Sequence, residues 1–301
     1  MRTIALVGAA SSAGAHGPGQ ERAPELFRKM GIYEHLCAAG LGVLDCGDIP
    51  TVRFEPDTNH PQARNLAKVV DVAHQVAGKV STAFQQHAFP LVLGGDCTVT
   101  LGVLAGLQRL HYSLGLVYFD GDVDLNTPQT THTGIFDGMG LAHIIGEGAD
   151  ELSRLGTRCP LVSEENVVLF GFNSDAGWMD PSEVEFLRQS SFVQYPVANI
   201  QGRVGQMAAE VLPVLEERVD GFLVHFDVDV VDYEDLPVGD VPHRGGLSMR
   251  EAAEALRVFV SSARCAGLVI TEFNAERDVD GVHAKRLTDE IVRILADPQM
   301  R

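Results

Sequence analysis

Cysteine is sparse and unpaired in this chain: Cys37, Cys46, Cys97, Cys159 and Cys265 are scattered, odd in number and without repeated spacing. That pattern argues against a disulfide framework and for a reducing compartment. Positive charge is also short. Against 41 acidic residues stand 23 Lys and Arg, a formal net charge of −18. Such a chain repels phosphate backbones and anionic headgroups, so nucleic acid and membrane surfaces are poor partners. Scattered surface acids also serve solubility, but solubility does not account for the clusters described below. Long apolar runs are missing too, and nothing approaches the roughly 20 residues of a membrane-spanning helix. The opening MRTIALVGAASSAG holds an apolar stretch of only about six residues, too short for a signal peptide's hydrophobic region. It reads as a first strand, and a cytoplasmic location is expected. The glycine-rich VGAASSAGAHGPG after that strand lacks GxGxxG spacing and the acid about twenty residues on, which excludes a dinucleotide site. No repeat, low-complexity segment or Pro/Gly/Ser linker divides the chain, so residues 1–301 are expected to form one domain.

What is present is an alternation of short apolar runs and longer amphipathic segments. Strands are expected at 3–7, 42–45, 91–93, 115–119, 166–170, 192–195, 221–226 and 267–271. Most are continuous Val/Ile/Leu/Phe stretches, the pattern of strands buried on both faces. Helical periodicity occupies 24–30, 62–86, 99–110, 181–188, 202–218, 249–261 and 283–295. Pro24 suits a first helical turn, and Ser248 with Glu251 has the spacing of a capping box. This rhythm predicts an α/β fold: a mostly parallel sheet covered by helices on both faces, three layers in all.

Acids collect where strands end. LVLGGDCT places Asp96 and Cys97 just past the third run, and YFDGDVDLN places Asp120, Asp122 and Asp124 past the fourth. HFDVDVVDY places Asp227, Asp229 and Asp232 past the seventh, and VITEFN places Glu272 past the eighth. In α/β sheets the crevice beyond the strands' carboxyl ends is where ligands bind. Residues two apart on an extended chain point the same way, which aligns Asp120, Asp122 and Asp124, and likewise Asp227 and Asp229. Two unit charges about 4 Å apart repel by roughly 4 kcal/mol at an effective dielectric near 20. Five such carboxylates in a half-buried crevice would exceed a domain's stability margin of ~5–15 kcal/mol. Bound cations or protonation must neutralise them, and cations are the simpler answer. A single DxD would be read as a solvated loop; two at buried strand ends, with a third acidic end, favour convergence.

GGDC, DGDVDLNTPQTTHTGIFDG, DVDVVD and EFN resemble, in that order, the metal and substrate motifs of the arginase and agmatinase (ureohydrolase) family. GPGQERAPELFRKMGI and DVDGVHAKRLTDEIVRIL are similar to its first and last segments, so the resemblance runs from about Gly17 to Leu295. It implies a single α/β domain with an eight-stranded parallel sheet, in which two Mn²⁺ share bridging carboxylates and a bridging hydroxide attacks a guanidinium carbon. Carried over by position, Asp120 and Asp227 become the bridging carboxylates, and Asp124 and Asp229 become terminal ligands. Asp124 also holds the hydroxide, and Glu272 pairs with the substrate's guanidinium. DLNTPQTTHTG looks like the arginase branch, which assigns Asn126, Thr131 and Thr133 to the α-carboxylate of an amino-acid substrate. The same Asn-Thr-Pro also makes a turn. A homo-oligomer, trimer or hexamer, follows from the family alone.

Three family histidines are absent. Cys97 replaces the one in GGDH, Asp122 the one in DAHxD, and Asp137 the loop histidine that shuttles protons. A thiolate and a carboxylate in place of two neutral imidazoles make the site two charges more negative, which raises the pKa of a metal-bound water while attracting a cationic guanidinium. Asp120, Asp122, Asp227 and Asp229 form an all-oxygen set suited to Mn²⁺ or Mg²⁺. Cys97, Asp120, Asp124 and Asp227 mix soft sulfur with hard oxygen, a poor match for Mn²⁺. One tight ion and one weak or absent ion are therefore expected. His132, His143 and His225 read as surface or core residues, and Asp137 becomes the candidate proton carrier if crowding raises its pKa. A cysteine at the first ligand position is also similar to the hydroxyarginine-hydrolysing branch. The leading expectation is hydrolysis of arginine or a modified arginine to urea or a substituted urea. The alternatives are a metal-poor, non-catalytic protein of this fold and a hydrolase of another linear amidine, such as a formimino compound.

Overall fold

The structure is a computed structural model describing residues 2–110, 113–175 and 177–297. Eight strands form one sheet: β1 Thr3–Gly8, β2 Gly42–Asp48, β3 Ala88–Leu93, β4 Leu114–Phe119, β5 Val167–Phe170, β6 Val193–Tyr195, β7 Gly221–Asp227 and β8 Cys265–Thr271. Their order is β2-β1-β3-β8-β7-β4-β5-β6, and every neighbouring pair is parallel. The helices are α1 Ala23–Lys29, α2 Ile32–Ala38, α3 Leu66–Gln85, α4 Val99–Gln108, α5 Gly140–Ile144, α6 Asp150–Ser153, α7 Pro181–Gln189, α8 Val197–Ile200, α9 Val204–Glu216, α10 Met249–Ser261 and α11 Val282–Leu295. None of the described helices is long and apolar enough to cross a membrane.

Between its two edge strands, β2 and β6, the sheet is buried on both faces, and its alternation sorts side chains between two cores. Phe89, Leu91, Val117, Phe119, Phe222, Val224 and Phe226 face one core, closed by α1, α2, α9, α10 and α11. Val92, Leu116, Tyr118, Leu223 and Val269 face the other, closed by α3, α4, α5 and α7. This explains why the strands read as unbroken apolar runs. Tyr118 and His225 are register partners on β4 and β7, so they share the second face.

Helix boundaries shift where side chains compete for backbone donors. The helix expected at 62–86 begins at Leu66, because Asp57 accepts the backbone N–H groups of Asn59, His60 and Asn65 and folds 57–65 into turns. The reversal at Gly31, with φ 80°, allows the helix α2 that the sequence reading left out.

β3, β8, β7 and β4 are adjacent in the sheet. The four strands whose carboxyl ends carry Cys97, Glu272, Asp227 and Asp120 thus open on one crevice. On one side of it, α3 and α4 pack at backbone distance: a Cβ on Gly102 would sit 2.5 Å from the Ala73 carbonyl oxygen, whereas one on Gly78 would meet nothing within 4 Å. Gly102→Ala is therefore expected to cost about 1–3 kcal/mol by forcing the helices apart. Gly78→Ala should stabilise by about 0.4–1 kcal/mol through the unfolded chain. Urea denaturation midpoints check both, and equal stability of Gly102→Ala and wild type would contradict the packing.

Candidate metal centre and active site

Both DxD segments close the same turn. The Asp122 N–H donates to Asp120 Oδ1 at 2.7 Å, and the Asp229 N–H donates to Asp227 Oδ1 at 2.8 Å. Each leading aspartate is thereby fixed by its own backbone, with Oδ2 free to face the crevice. Asp120 Oδ2 lies 3.1 Å from His225 Nε2. Asp227 Oδ2 accepts from Cys97 Sγ at 2.7 Å and from Thr271 Oγ1 at 3.3 Å. Cys97 Sγ is 3.8 Å from His225 Nε2. One donor atom from each of Cys97, Asp120, His225 and Asp227 falls within 4.8 Å of the others, and none of the four residues is more than 3% exposed. His225 is held from behind: its Nδ1 is 2.8 Å from Thr100 Oγ1 on α4, and its ring stacks on Tyr118 at 4.3 Å and 6°. Burial pulls its pKa down to about 3, so the imidazole is neutral.

A second, outer group joins Asp122, Asp229 and His243. His243 Nε2 is 3.1 Å from Asp122 Oδ2 and 3.5 Å from Asp229 Oδ2. The Gly121 N–H donates to Asp229 Oδ1 at 3.1 Å. Trp178 Nε1 donates to Asp122 Oδ1 at 2.6 Å, and its ring lies 4.5 Å from the His243 ring. Burial works to lower the His243 pKa, but Asp229 and Asp122 outweigh it and raise the pKa to about 11. Asp232, the last acid of DVDVVD, is not in either group. It accepts the Gly245 and Glu234 N–H groups and, with Tyr233 N–H bonded to the His243 carbonyl, folds the 232–245 loop that delivers His243.

Beside the inner group, Asp137 Oδ1 accepts the Cys97 N–H at 2.8 Å, and Cys97, Asp137 and Glu272 form a third cluster. Glu272 sits at φ 62°, pinned by its N–H to the Gly95 carbonyl at 3.0 Å. Gln20 Nε2 donates to Glu272 Oε2 at 2.5 Å. The remaining oxygens of that pair, Glu272 Oε1 and Gln20 Oε1, are buried and, among the described residues, accept from no settled donor, although the Asp137 carboxyl group lies close enough to Glu272 to share a proton with it. Asp124, at φ 47°, accepts from Tyr118 Oη at 2.5 Å and belongs to none of the three clusters. Burial, reinforced by neighbouring carboxylates, holds Asp120, Asp124, Asp137, Asp227 and Glu272 well above the usual carboxylate range. Burial first, then Asp227, pushes the Cys97 thiol up. These groups are crowded enough to stay protonated unless a cation joins them. With carboxylate oxygens, a sulfur and two imidazoles converging, the donors fit divalent metal.

Asn126, Thr131 and Thr133 lie outside these clusters. Asn126 Nδ2 donates to Asp180 Oδ2 at 3.2 Å, and Thr131 Oγ1 accepts the Gly134 N–H at 3.0 Å and lies 3.3 Å from Thr133 Oγ1. The loop turns on its own hydroxyls, as the Asn-Thr-Pro sequence suggests, with Thr133 exposed.

The structure departs from the sequence reading in its donor sets. The all-oxygen set of Asp120, Asp122, Asp227 and Asp229 is interrupted by His243, which bridges Asp122 and Asp229. In the sulfur-containing set His225 stands beside Cys97 while Asp124 turns to Tyr118. His225, read as a surface or core residue, is buried against two ligand-type side chains. Its place two residues before Asp227 on β7 was the available signal, since both point to one side. His243 escaped notice because a loop fold-back, invisible in local sequence, brings it in.

A parallel α/β domain with a carboxylate-rich crevice at the carboxyl edge of its central strands presents the donors of a metal centre. The model of the Arginase family matches residues 2–296. An arginase of Bacillus caldovelox is 31% identical over 278 residues, covering 91% of each chain. One of Bacillus subtilis is 32% identical, covering 91% of this chain and 90% of its own. Among solved structures, the Bacillus caldovelox arginase superposes with TM-score 0.89 at 28% identity, covering 99% of both chains. A formimidoylglutamase of Bacillus subtilis shares the fold at TM-score 0.77 and 17% identity, covering 98% of this chain and 86% of its own. This chain belongs to the arginase family, hydrolases acting on carbon–nitrogen bonds of linear amidines.

His143 is a core residue. Its Nδ1 donates to the Met139 carbonyl at 2.7 Å, and its Nε2 accepts the Ala149 N–H at 3.0 Å. Both bonds require the neutral ring, and burial lowers its pKa from 6.5. A folded pKa below the unfolded one gives stability that is present above pH 6.5 and lost as pH falls through the folded value. The stability difference between wild type and His143→Gln should therefore shrink on going from about pH 7.5 to about pH 5. Paired denaturant titrations read it, and a constant difference would contradict the assigned tautomer.

Proposed function

We propose that this chain hydrolyses the guanidino group of arginine or a modified arginine such as hydroxyarginine, releasing urea or a substituted urea. The observation that carries this reading is the pair of buried acceptors without a settled donor, Glu272 Oε1 and Gln20 Oε1, next to the metal-type cluster. A guanidinium offers five N–H donors in a planar fork and carries the positive charge that this acidic crevice favours. Glu272 neutralises and orients it, with Gln20 holding the carboxylate in place. Asp124 and Asp137, the latter accepting the Cys97 N–H, are assigned as the groups that hold and move protons. Asn126, Thr131 and Thr133 are assigned to the α-carboxylate of an amino-acid substrate. When bound, divalent metal supplies the Lewis acidity that makes water a nucleophile at neutral pH. Mn²⁺ suits the outer group, where two carboxylates meet one imidazole; Mg²⁺ is the harder, oxygen-only substitute. A homo-oligomer, trimer or hexamer, in the cytoplasm completes the reading by likeness to the family.

The test is release of urea from arginine, agmatine and guanidinobutyrate, and of hydroxyurea from hydroxyarginine, by metal-loaded protein. Arginine or hydroxyarginine should be turned over best. Glu272→Gln should lower kcat/KM by roughly 100-fold or more, since losing one partner of a buried charge pair costs about 2–5 kcal/mol. Release of formamide from a formimino compound, with neither urea nor hydroxyurea from the four, would transfer the chain to another amidine. Failure to turn over any of them, with no metal bound, would leave a non-catalytic protein of this fold.

A further inference from the structure

We propose that the imidazoles missing from the ligand motifs are supplied by His225 and His243, and that the inner set of Cys97, Asp120, His225 and Asp227 holds Zn²⁺ in preference to Mn²⁺. This deepens the reading above and rests on it for the presence of a metal. The inner set offers one sulfur, one nitrogen and two carboxylate oxygens, all within 4.8 Å of one another. Zn²⁺ accepts four mixed S, N and O donors in a tetrahedral site, whereas Mn²⁺ favours oxygen-rich coordination of higher number. The four side chains are also buried, none more than 3% exposed, so the donor set is held away from bulk water.

His225 also has the surroundings of a ligand. Its second nitrogen is tied to Thr100 Oγ1 at 2.8 Å, the kind of outer contact that fixes the ring orientation of metal-binding histidines. Stacking on Tyr118 fixes the ring plane. As a packing residue alone it would aim Nε2 at a carboxylate and a thiol, the two side chains in reach best able to share a cation. Each relocated histidine faces the substituted ligand it accompanies: His225 stands 3.8 Å from Cys97, and His243 stands 3.1 Å from Asp122. The outer group has three donors, and its Asp122 side chain is 30% exposed, so it holds a second ion less tightly. One tight and one weak ion result, with the tight one at the cysteine.

Full-length protein stripped with a chelator and titrated with Zn²⁺, Mn²⁺ and Co²⁺ tests this. Wild type should retain one Zn²⁺ per chain through desalting and bind it roughly 100-fold or more tighter than Mn²⁺, following thiolate ligation and the Irving–Williams order. The Co²⁺ form should show a sulfur-to-cobalt charge-transfer band and the intense visible bands of four-coordinate cobalt. Cys97→Ser should abolish the charge-transfer band, and Cys97→His should move the preference towards Mn²⁺. Thr100→Val should weaken Zn²⁺ binding about 10–100-fold, and His225→Asn should weaken it further with the fold intact by circular dichroism. Should His225→Asn fail to fold, the wild-type cobalt spectrum and Thr100→Val still decide the matter. Mn²⁺ held as tightly as Zn²⁺, no sulfur–cobalt band, or a folded His225→Asn with unchanged Zn²⁺ affinity would each overturn the inference. Zn²⁺ binding as described without urea or hydroxyurea from any guanidino compound would instead end the functional reading and leave the metal assignment standing.

Discussion

Like charges gathered in a buried crevice are the constraint on which the rest of the structure depends. Asp120, Asp124, Asp137, Asp227 and Glu272 are all buried, and burial with mutual repulsion holds each well above the ordinary carboxylate range. A fold keeps such a set either protonated or paired with something positive that lets it ionise. The sheet supplies the geometry: β3, β8, β7 and β4 are neighbours, so four carboxyl ends deliver their acids to one place. The helices supply the dryness that makes the charges costly and a bound cation effective.

Local backbone chemistry aims these groups before any cation arrives. Each DxD turn takes one oxygen of its leading aspartate for a backbone N–H and leaves the other facing the crevice. Asp96, just ahead of Cys97, is itself buried and bonded to the Gly14 N–H and Ser11 hydroxyl, so it braces the loop and does not join the ligands. Asp232 does the same for the loop carrying His243. Acids of similar appearance in the sequence thus divide into those that face the crevice and those that shape its walls, according to which backbone donors lie within reach.

The parts legible in the sequence are those governed by short-range periodicity. The six inner strands show as apolar runs because both their faces are buried, and the acids after the runs at 115–119 and 221–226 fall at one edge because parallel strands end together. β2 is the exception in extent: it continues to Asp48, three residues past the expected strand at 42–45, because its edge position tolerates Cys46, Gly47 and Asp48. Hidden from the sequence were contacts made by tertiary approach. The pairing of Tyr118 with Asp124, the bridge of His243 between Asp122 and Asp229, and the support of Glu272 by Gln20 each join side chains whose meeting no local pattern encodes. His225 lay between the two cases, on a readable strand but beside a cysteine that only the register places there.

The substitutions at Cys97, Asp122 and Asp137 have opposing effects on the two halves of the reaction, and the structure indicates how they are reconciled. Added negative charge strengthens attraction for a cationic guanidinium, but it also makes water harder to deprotonate in the same site. Interactions shared by substrate and transition state lower KM without raising kcat, so charge alone would yield a tight-binding, slow enzyme. His225 adds a nitrogen donor to the inner group and His243 one to the outer group, beside Asp122 and Asp229, and neither adds negative charge. Tyr118 donates to Asp124 and so turns that carboxylate away from the inner donor set. The altered ligands therefore need not signal a decaying site: the same crevice also retains Glu272 with a buried oxygen that lacks a settled donor, a feature that costs free energy to keep and is relieved by a ligand that donates hydrogen bonds to it.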